Sequence, residues 1–494
     1  MASFSIVCLS FMIVAFAYMT SVNAASNVIY VPTDYPTIQE AINRSNSGDT
    51  IFVSNGTYNE HVIVNKTVSL VGKGADLTIV DGGGTASVIT ITADNTSIRG
   101  FTIRNSGSGP NDYGITIDRS SGNYINGNKI LNNSNGGIAL FFSSDNVVSG
   151  NAVYSNMYSG IFLYASSNNL ISGNAIYSNI YNGIHAYSSY NNVISGNAVY
   201  SNGYLGIYLS FSLDNTIYHN NFNNMRQTSS DFLMNVWDYE GEGNYWSDYI
   251  GADSFQGAYQ NETGSDGIGD TEYVIDANNK DYYPLMGRFS NFNATLRKDT
   301  YQVNVISNSA ISDFIFKIGE ETGNKIIRFN AVGQDGEGGF CRVDLPTELI
   351  SWPFIVVVGE EEITPTPYEF SKGTYSYLYF TYVNHNNTIT ITSSKTLSLY
   401  NDLLNKNIKL QMDLSNLNAT YYDVLDQYGL LLGNYSQLQN SYRELNNSYE
   451  EHQLNSLVYM SNIRNLTYII AATTAIFIMT AVYMSKSAHS PPIS

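Results

Sequence analysis

The sequence GNAVYSNMYSGIFLYASSNNLIS, which begins at Gly150, recurs along the chain at a constant spacing of 23 residues. Related copies begin at Gly127, Gly173 and Gly196, and each copy follows the last without an insertion. Apolar residues alternate with period 2 within each copy, and Gly, Asn and Ser separate the alternating runs. This pattern predicts short β-strands joined by turns, because a helix would require a period near 3.6.

Equivalent positions of the four copies form columns, which predict one coil of a parallel β-helix per copy. Successive coils of such a solenoid pair about 4.8 Å apart and bury their apolar columns. The apolar columns are Ile138/Ile161/Ile184/Ile207, Leu140/Leu163/Ala186/Leu209, Ile130/Val153/Ile176/Val199 and Val148/Ile171/Ile194/Ile217. Asparagine columns predict ladders of bonded amides, and they are Asn128/Asn151/Asn174/Asn197/Asn220 and Asn133/Asn156/Asn179/Asn202.

A short helix is predicted in front of the solenoid, where YPTIQEAI occupies residues 35–42. Thr37 stands at the N-cap position, and Glu40 completes a capping box. This helix would cover the open end of the solenoid, which otherwise exposes unpaired strand edges.

Two groups of motifs resemble known β-helix families. YPTIQEAI and GDTIFVSNGTYNEHVIVNKTVSLVGKG (48–74) resemble the opening of right-handed parallel β-helix proteins, including pectinesterase-type chains and NosD-like families of carbohydrate-binding and sugar-hydrolysis type. GNYWSDY (243–249), DGIGDTEYVID (266–276) and DYYPLM (281–286) resemble the segment that closes the helix in archaeal NosD-like surface proteins with PbH1 repeats. The resemblance covers residues 28–288 and implies a mainly-β, right-handed parallel β-helix in an archaeal surface protein.

Composition excludes several classes of protein. The 494 residues carry a net charge of −19 with 23 Lys and Arg, so a basic footprint for nucleic acid is absent. The two cysteines are Cys8 and Cys341, which excludes a disulfide framework, a zinc finger and an iron–sulfur cluster. Cys341 lies in a predicted strand, where we interpret it as a small buried hydrophobic residue.

Apolar segments at both ends predict export and anchoring. Residues 1–24 have the pattern of a cleaved signal peptide, with an uncleaved N-terminal anchor as the alternative. Residues 467–484 are predicted to span a membrane, which leaves 485–494 as a cytoplasmic tail and the ectodomain outside the cell. Sequons for N-glycosylation support export, and they begin at Asn43, Asn55, Asn65, Asn95, Asn132, Asn261, Asn293, Asn386, Asn418, Asn434, Asn446 and Asn465.

The region between the solenoid and the anchor divides into two further predicted domains. Residues 297–394 alternate in the manner of an antiparallel β-sandwich. Residues 399–466 carry apolar and tyrosine columns at 3-4 spacing over more than nine heptads, which predicts a coiled-coil stalk. A coiled coil requires a partner helix, so this segment predicts a homo-oligomer.

Outward positions of the repeats carry aromatic side chains. Rings on a flat sheet can stack on the apolar faces of sugars without any charge, which predicts a carbohydrate-binding face. The alternative is that the rings only stabilise neighbouring coils. The residues of the predicted face are Phe141, Tyr164, Tyr187, Phe162, His185 and Tyr208.

Acidic residues give little support to catalysis on the repeats. Glycoside hydrolysis needs two carboxylates about 5–9 Å apart, yet the four copies contain only Asp145 and Asp214, three coils apart. Asp118 and Arg119 form an acid/base fragment on the preceding coil, with a solvated ion pair as the alternative. Loops at 105–113 and 225–262 could add residues that the sequence alone does not place.

Metal binding is a further hypothesis. Asp266 and Asp270 in DGIGD, with Asp253, have the carboxylate spacing of a possible calcium loop, and Glu262 is an additional candidate. A tight turn held by the aspartates is the alternative. The NosD resemblance implies copper, but the six histidines are scattered and the methionines form no run.

Together these patterns favour a membrane-anchored structural or adhesive protein that contacts polysaccharide or a surface-layer glycan. A polysaccharide lyase or glycoside hydrolase is the first alternative. A NosD-like copper or metal accessory protein is the second.

Overall fold

The computed structural model describes residues 26–231, 233–257, 259–319, 324–351, 354–368, 374–451 and 456–488. The predicted signal peptide lies outside these residues. One compact unit includes the described residues up to Phe316 together with Ile327–Ile391. The C-terminal helices belong to a second unit.

Three long parallel sheets form a β-helix of about nine coils, as the repeats predict. Sheet A contains Val28–Val31, Thr50–Val53, Ser69–Gly72, Ser97–Arg99, Tyr124–Asn126, Val147–Ser149, Leu170–Ser172, Val193–Ser195 and Thr216–Tyr218. Sheet B contains Gly56–Asn59, Thr78–Asp81, Thr102–Arg104, Lys129–Leu131, Ala152–Tyr154, Ala175–Tyr177, Ala198–Tyr200, Asn221–Asn223 and Tyr245–Trp246. Sheet C contains Val62–Val64, Ile89–Ile91, Ile115–Asp118, Ile138–Phe141, Ile161–Tyr164, Ile184–Tyr187, Ile207–Ser210 and Thr228–Ser230.

Strand register explains the constant spacing of the repeat. Ile138, Ile161 and Ile184 pair in sheet C one above another, and all three are fully buried. Each repeat coil therefore returns to the same inward position. Coils of other length keep this register as well, because Ile89 and Ile115 pair 26 residues apart and are both buried, so the turns take up the difference.

Asparagine ladders complete the interior of the turns. Asn151 donates from its side-chain amide to Asn174 Oδ1 at 3.0 Å, and Asn174 donates to Asn197 at 3.0 Å. Both predicted ladders form, and a third ladder runs beside them through Asn123, Asn146, Asn169, Asn192, Asn215 and Asn235. The ladders satisfy polar groups that the solenoid would otherwise bury without partners.

Both ends of the β-helix are covered. Helix α1 (Ile38–Arg44) closes the first coil, and Thr37 Oγ1 accepts the Glu40 N–H at 3.1 Å as predicted for the N-cap. The carboxylate of Glu60 accepts the next two free N–H groups, those of residues 38 and 39, at 3.0 Å each. At the other end, Trp246 stacks on Phe222 at 4.7 Å and covers the last coils.

Two short antiparallel pairs follow the solenoid, Phe255–Gln256 with Glu262–Thr263 and Tyr273–Val274 with Lys280–Asp281. Two five-stranded sheets come next. The first contains Arg288–Leu296, Asp299–Ser307, Gly338–Pro346, Tyr375–Val383 and Thr366–Tyr368, and the second contains Ala310–Ile318, Lys325–Val332, Asn386–Ser393, Phe354–Val358 and Glu361–Ile363. The first antiparallel strand thus begins at Arg288, before the predicted boundary at residue 297, because it pairs along its whole length with Asp299–Ser307.

Two long helices form the rest of the chain, α2 (Ser394–Glu451) and α3 (Ser456–Ala488). Leu403 and Leu410 in α2 are 54% and 66% exposed in the single chain, and the coiled coil remains a prediction. The segment Asn462–Val482 of α3 is long and apolar enough to cross a membrane. At 1.5 Å per residue it would span about 30 Å.

Candidate functional site

Sheet C carries the predicted carbohydrate-binding residues on its outer face. Phe141, Tyr164 and Tyr187 pair in one column, and Phe162, His185 and Tyr208 pair in the column two residues away. Their strand neighbours, such as Ile161 and Leu163, are fully buried, so the alternation of the strand directs the rings outward. We call these six residues the aromatic face.

Rings of the aromatic face contact one another between coils. Tyr164 and Tyr187 stack with centroids 5.4 Å apart, and His185 stacks on Tyr208 at 4.9 Å. Phe162 lies 5.0 Å from His185 and packs edge-on against Phe141 at 6.0 Å. Such contacts stabilise adjacent coils, while the half-buried rings leave part of their surface to solvent.

Further aromatic residues border this face on both sides. On one side Tyr158 and Tyr181 stack at 5.1 Å, and Tyr181 and Tyr204 stack at 5.0 Å. On the other side Phe142 and Phe211 are more than half exposed and pack edge-on against Tyr164 and Tyr187, respectively. The apolar surface is therefore wider than the six predicted residues, and the extra rings come from the turns that precede and follow each strand of sheet C.

His185 is the buried polar side chain of the aromatic face. It is 7% exposed, and neither Nδ1 nor Nε2 has a hydrogen-bond partner. Burial lowers the pKa of His185 to about 4, against an opposing effect of the Asp231 carboxylate. The imidazole is therefore neutral near pH 7, with one nitrogen as donor and the other as acceptor.

Asp231 reaches this region from the loop at 225–262. Its Oδ2 atom accepts from Ser210 Oγ at 2.9 Å and from the Phe211 N–H at 3.1 Å. The residue follows the last strand of sheet C, outside the 23-residue period, so no column pointed to it. Tyr113 enters similarly from the loop at 105–113 and lies 5.7 Å from Phe141.

The carboxylates on this face are too far apart to act as a pair. Asp118 begins a column that continues through residues 141, 164 and 187 to Ser210, which bonds Asp231. Four coil steps of about 4.8 Å place the ends of that column roughly 19 Å apart, whereas glycosidase pairs lie about 5–9.5 Å apart. Asp118 instead bonds its exposed neighbour Arg119 at 3.0 Å, the solvated pair considered above.

The three predicted calcium ligands lie close together in one loop region, where the charges of Asp266 and Asp270 contribute to the pKa of Asp253. Burial raises the pKa of Asp253 to about 6. The charges of Asp266 and Asp270 add to this rise, and backbone hydrogen bonds oppose it. Each carboxylate already accepts backbone N–H groups: Asp253 those of residues 266 and 267, Asp266 that of residue 268, and Asp270 those of residues 254 and 255. This arrangement matches the tight-turn alternative, and calcium stays a prediction.

Within the described ranges, no group of three or more His, Cys, Asp or Glu side chains is arranged to hold a metal ion. Cys341 is buried in a strand of the first antiparallel sheet, and burial raises the pKa of its thiol to about 11. A thiol with that pKa stays protonated at neutral pH and is a poor nucleophile.

Among the asparagines of the twelve sequons, the following are exposed: Asn55, Asn65, Asn95, Asn261, Asn293, Asn386, Asn418 and Asn434. Exposure is a requirement for attachment of a glycan, and whether each site is modified stays a prediction.

Residues 42–251 match the family model described as periplasmic copper-binding protein (NosD). Together with the parallel coils, this match supports the NosD-like resemblance for the fold of that segment. No curated protein sequence matches the chain.

Solved structures with some similarity include three polysaccharide-active proteins. The periplasmic alginate epimerase AlgG is 18% identical with a TM-score of 0.30, over 43% of this chain and 54% of that one. Alginate lyase from Paenibacillus sp. str. FPU-7 is 16% identical with a TM-score of 0.29, over 45% of this chain and 98% of that one. Pectin methylesterase PemA from Erwinia chrysanthemi is 16% identical with a TM-score of 0.25, over 40% of this chain and 72% of that one. This chain spans about half the length of the epimerase.

Proposed function

We propose that the chain is a membrane-anchored cell-surface protein whose β-helix binds glycans on the aromatic face in a structural or adhesive role. The observation that carries the proposal is the pair of aromatic columns on sheet C, with further rings on both sides. Sugar rings have apolar faces that stack on aromatic side chains, and stacking needs no charged residue.

The distribution of sequons supports an accessible binding face. No N-x-S/T sequon lies between Asn132 and Asn261, although asparagine is frequent in that interval. The coils that carry most of the aromatic face therefore have no attachment site that would cover it with a glycan of the protein's own. Sequons resume in the segments that follow the solenoid, where glycans would leave the face open.

The C-terminal segment supports the anchoring part of the proposal. Asn462–Val482 has the length and composition of one membrane span. In this arrangement the ectodomain is extracellular, residues 485–494 are cytoplasmic, and residues 399–466 form an oligomeric stalk. Surface-layer glycan or another polysaccharide is the proposed partner.

Two other functions remain as alternatives. A polysaccharide lyase or hydrolase would need a second catalytic group near Asp118 or Asp231, and those two carboxylates lie at opposite ends of the face. The name of the matched family model favours copper binding. A copper accessory protein would need a cluster of soft ligands, and Cu²⁺ titration by calorimetry would detect one.

Incubation with polysaccharides tests the proposal against the enzyme alternative. Full-length protein in detergent is incubated with a panel of polysaccharides, and mass spectrometry follows both retained glycan and new chain ends. Retention without new ends is the expected result. New chain ends would establish an enzyme, and neither retention nor cleavage would contradict glycan binding.

A further inference from the structure

One position of the aromatic face carries a polar group that the fold does not need. The column that pairs across sheet C contains Ala139, Phe162, His185 and Tyr208. Phe162 fills the equivalent site one coil earlier without any polar side-chain atom. Buried polar atoms in proteins nearly always have hydrogen-bond partners, yet both nitrogens of the 93% buried His185 lack one.

The surroundings of His185 favour a ligand as the missing partner. Phe162 and Tyr208 lie against the imidazole, with centroids at 5.0 Å and 4.9 Å. Neither nitrogen is exposed in the unliganded protein, so a bound sugar must displace part of a neighbouring ring to reach one. A ligand that lies across the neighbouring rings would bring its own polar groups to the same place. A neutral imidazole both donates and accepts, which matches a sugar hydroxyl, since a hydroxyl also does both.

Charges along the face indicate which glycans it accepts. Asp118 lies at one end and Asp231 at the other. The nearby cations are engaged, because Arg119 bonds Asp118 at 3.0 Å and Arg226 lies over the Tyr204 ring at 5.3 Å. The bonded Arg119 offsets the charge of Asp118, so a polyanionic uronate chain would meet like charge at the Asp231 end of the face and in the chain as a whole, whose net charge is −19.

We propose that His185 hydrogen-bonds a hydroxyl of an uncharged glycan on the aromatic face, and that this contact makes the face selective for neutral hexose chains over uronate chains. The inference rests on the proposed function and adds to it a ligand class and a specificity-determining residue. Aromatic stacking supplies most of the contact area, and His185 fixes the position of the sugar by a directional bond.

The test compares two substitutions of His185 in the full-length protein in detergent. His185→Phe introduces the residue that Phe162 supplies in the preceding coil, and it removes the hydrogen bond. His185→Gln retains a donor and an acceptor. Calorimetry measures binding of cellohexaose, mannohexaose and hexagalacturonate. We expect the wild type to bind a neutral hexaose at least about tenfold more tightly than hexagalacturonate. His185→Phe should lose about tenfold for that hexaose, and His185→Gln should stay within about threefold.

The outcomes separate this inference from the proposed function. Equal binding of the neutral hexaose by wild type and His185→Phe would overturn the role of His185, and preference for hexagalacturonate would overturn the ligand class. Either result leaves glycan binding in place if replacement of Tyr164, Tyr187 and Tyr208 by Ser abolishes it. Failure of the wild type to bind any glycan would overturn both.

A second measurement detects the hydrogen bond in the wild type, and a variant serves only to assign the signal. The chain has six histidines, so ¹⁵N-histidine labelling gives few imidazole resonances, and the signal missing from His185→Gln identifies His185. A new hydrogen bond should shift a ring-nitrogen resonance of His185 when the neutral hexaose saturates the protein. An unchanged resonance at saturation would overturn the inference.

Discussion

Outward and inward residues of sheet C are restricted by different forces. Ile161 and Leu163 have no exposed surface, so the interior determines their size and apolar character. Phe162 and Tyr164 remain partly exposed on the opposite face, where burial does not require an aromatic side chain. Aromatic residues on this outer face therefore add a property that the solenoid alone does not require.

Replacing Tyr164, Tyr187 and Tyr208 together by Ser should abolish glycan retention and leave the solenoid folded. The rings supply the stacking surface, while the buried columns behind them stay intact. A pull-down on immobilised polysaccharide measures retention, and circular dichroism measures folding. The matched control replaces Tyr154, Tyr177 and Tyr200, which form an equivalent ladder with 4.8–4.9 Å spacing on sheet B. Equal loss in the control would contradict a specific role for sheet C.

His185 should make the protein less stable in acid. The unfolded chain takes up the proton near pH 6.5, whereas burial delays uptake in the folded protein to a pKa of about 4. The contribution of neutral His185 to the free energy of unfolding is complete above pH 6.5. It falls by about 3 kcal/mol as the pH drops towards 4. Denaturant titrations of wild type and His185→Phe should differ increasingly over this interval. A constant difference between pH 7 and pH 4 would contradict the burial effect.

At the scale of a coil, lack of space fixes the glycine that precedes five of the eight strands of sheet C. A Cβ atom at Gly183 would lie 2.6 Å from the carbonyl oxygen of Gly206 on the next coil. Backbone of a paired strand cannot retreat, so Gly183→Ala should lower the free energy of unfolding by about 3 kcal/mol. Chemical denaturation measures the loss. Gly338→Ala is the control, because a Cβ there would meet no atom within 4 Å, and an equal loss in both variants would refute the argument.

Helix α2 should associate with copies of itself. Leu410 and Leu414 are 66% and 39% exposed in the single chain, which is unfavourable for apolar residues at heptad positions. Full-length protein should be oligomeric in light scattering coupled to size exclusion, after subtraction of detergent mass. Substitution of both leucines by Glu should dissociate the oligomer. A monomeric wild type at micromolar concentration would refute the coiled coil.

The four regular coils were predictable because their sequence repeats, whereas the closing segments have no repeat. Columns at 23-residue spacing predicted the buried aliphatic residues, and the third asparagine ladder could have been found from the same spacing. Asp231 had no counterpart one period away, so its approach to His185 depends on how the chain leaves the last coil. The strand Arg288–Leu296 was not included in the predicted domain 297–394, because it alternates less regularly than those that follow.

At the scale of the molecule, one buried charge cluster joins the β-helix to the antiparallel sheets within a single compact unit. Arg342 is 2% exposed and bonds Glu242, which also contacts His219 at 2.7 Å. Arg342 Nε lies 3.5 Å from Asp344. Sequence spacing gave no signal of this cluster, because Glu242 and Arg342 are separated by 100 residues along the chain.

Glu242 and Asp344 should respond oppositely to pH. Burial alone would raise the pKa of Glu242, but Arg342 and His219 outweigh burial and lower that pKa to about 2. Ionised Glu242 therefore contributes to the free energy of unfolding above its ordinary pKa of 4.5, and this contribution is lost as the pH falls towards 2. Burial, reinforced by the charge of Glu242 and opposed by Arg342, raises the pKa of Asp344 to about 8. Its contribution is complete below pH 3.8 and is lost as the pH rises towards 8.

Two neutral substitutions separate these effects. Glu242→Gln should lower the free energy of unfolding by about 3 kcal/mol or more near neutral pH, because it leaves Arg342 without its closest counter-charge. Asp344→Asn should gain in melting temperature relative to wild type between pH 5 and pH 8. Thermal melts over that range measure both. A fixed offset between Asp344→Asn and wild type would show that Asp344 is ionised throughout.

The identical length of the four repeat coils has a consequence for how such a protein can change through descent. Duplication or loss of one 23-residue segment preserves every column, every amide ladder and the closure at both ends. The sheet C surface would lengthen or shorten by one rung of about 4.8 Å. Unequal recombination within the gene could thus alter the number of sugar units in contact with the protein in discrete steps, without a single point mutation in the binding residues.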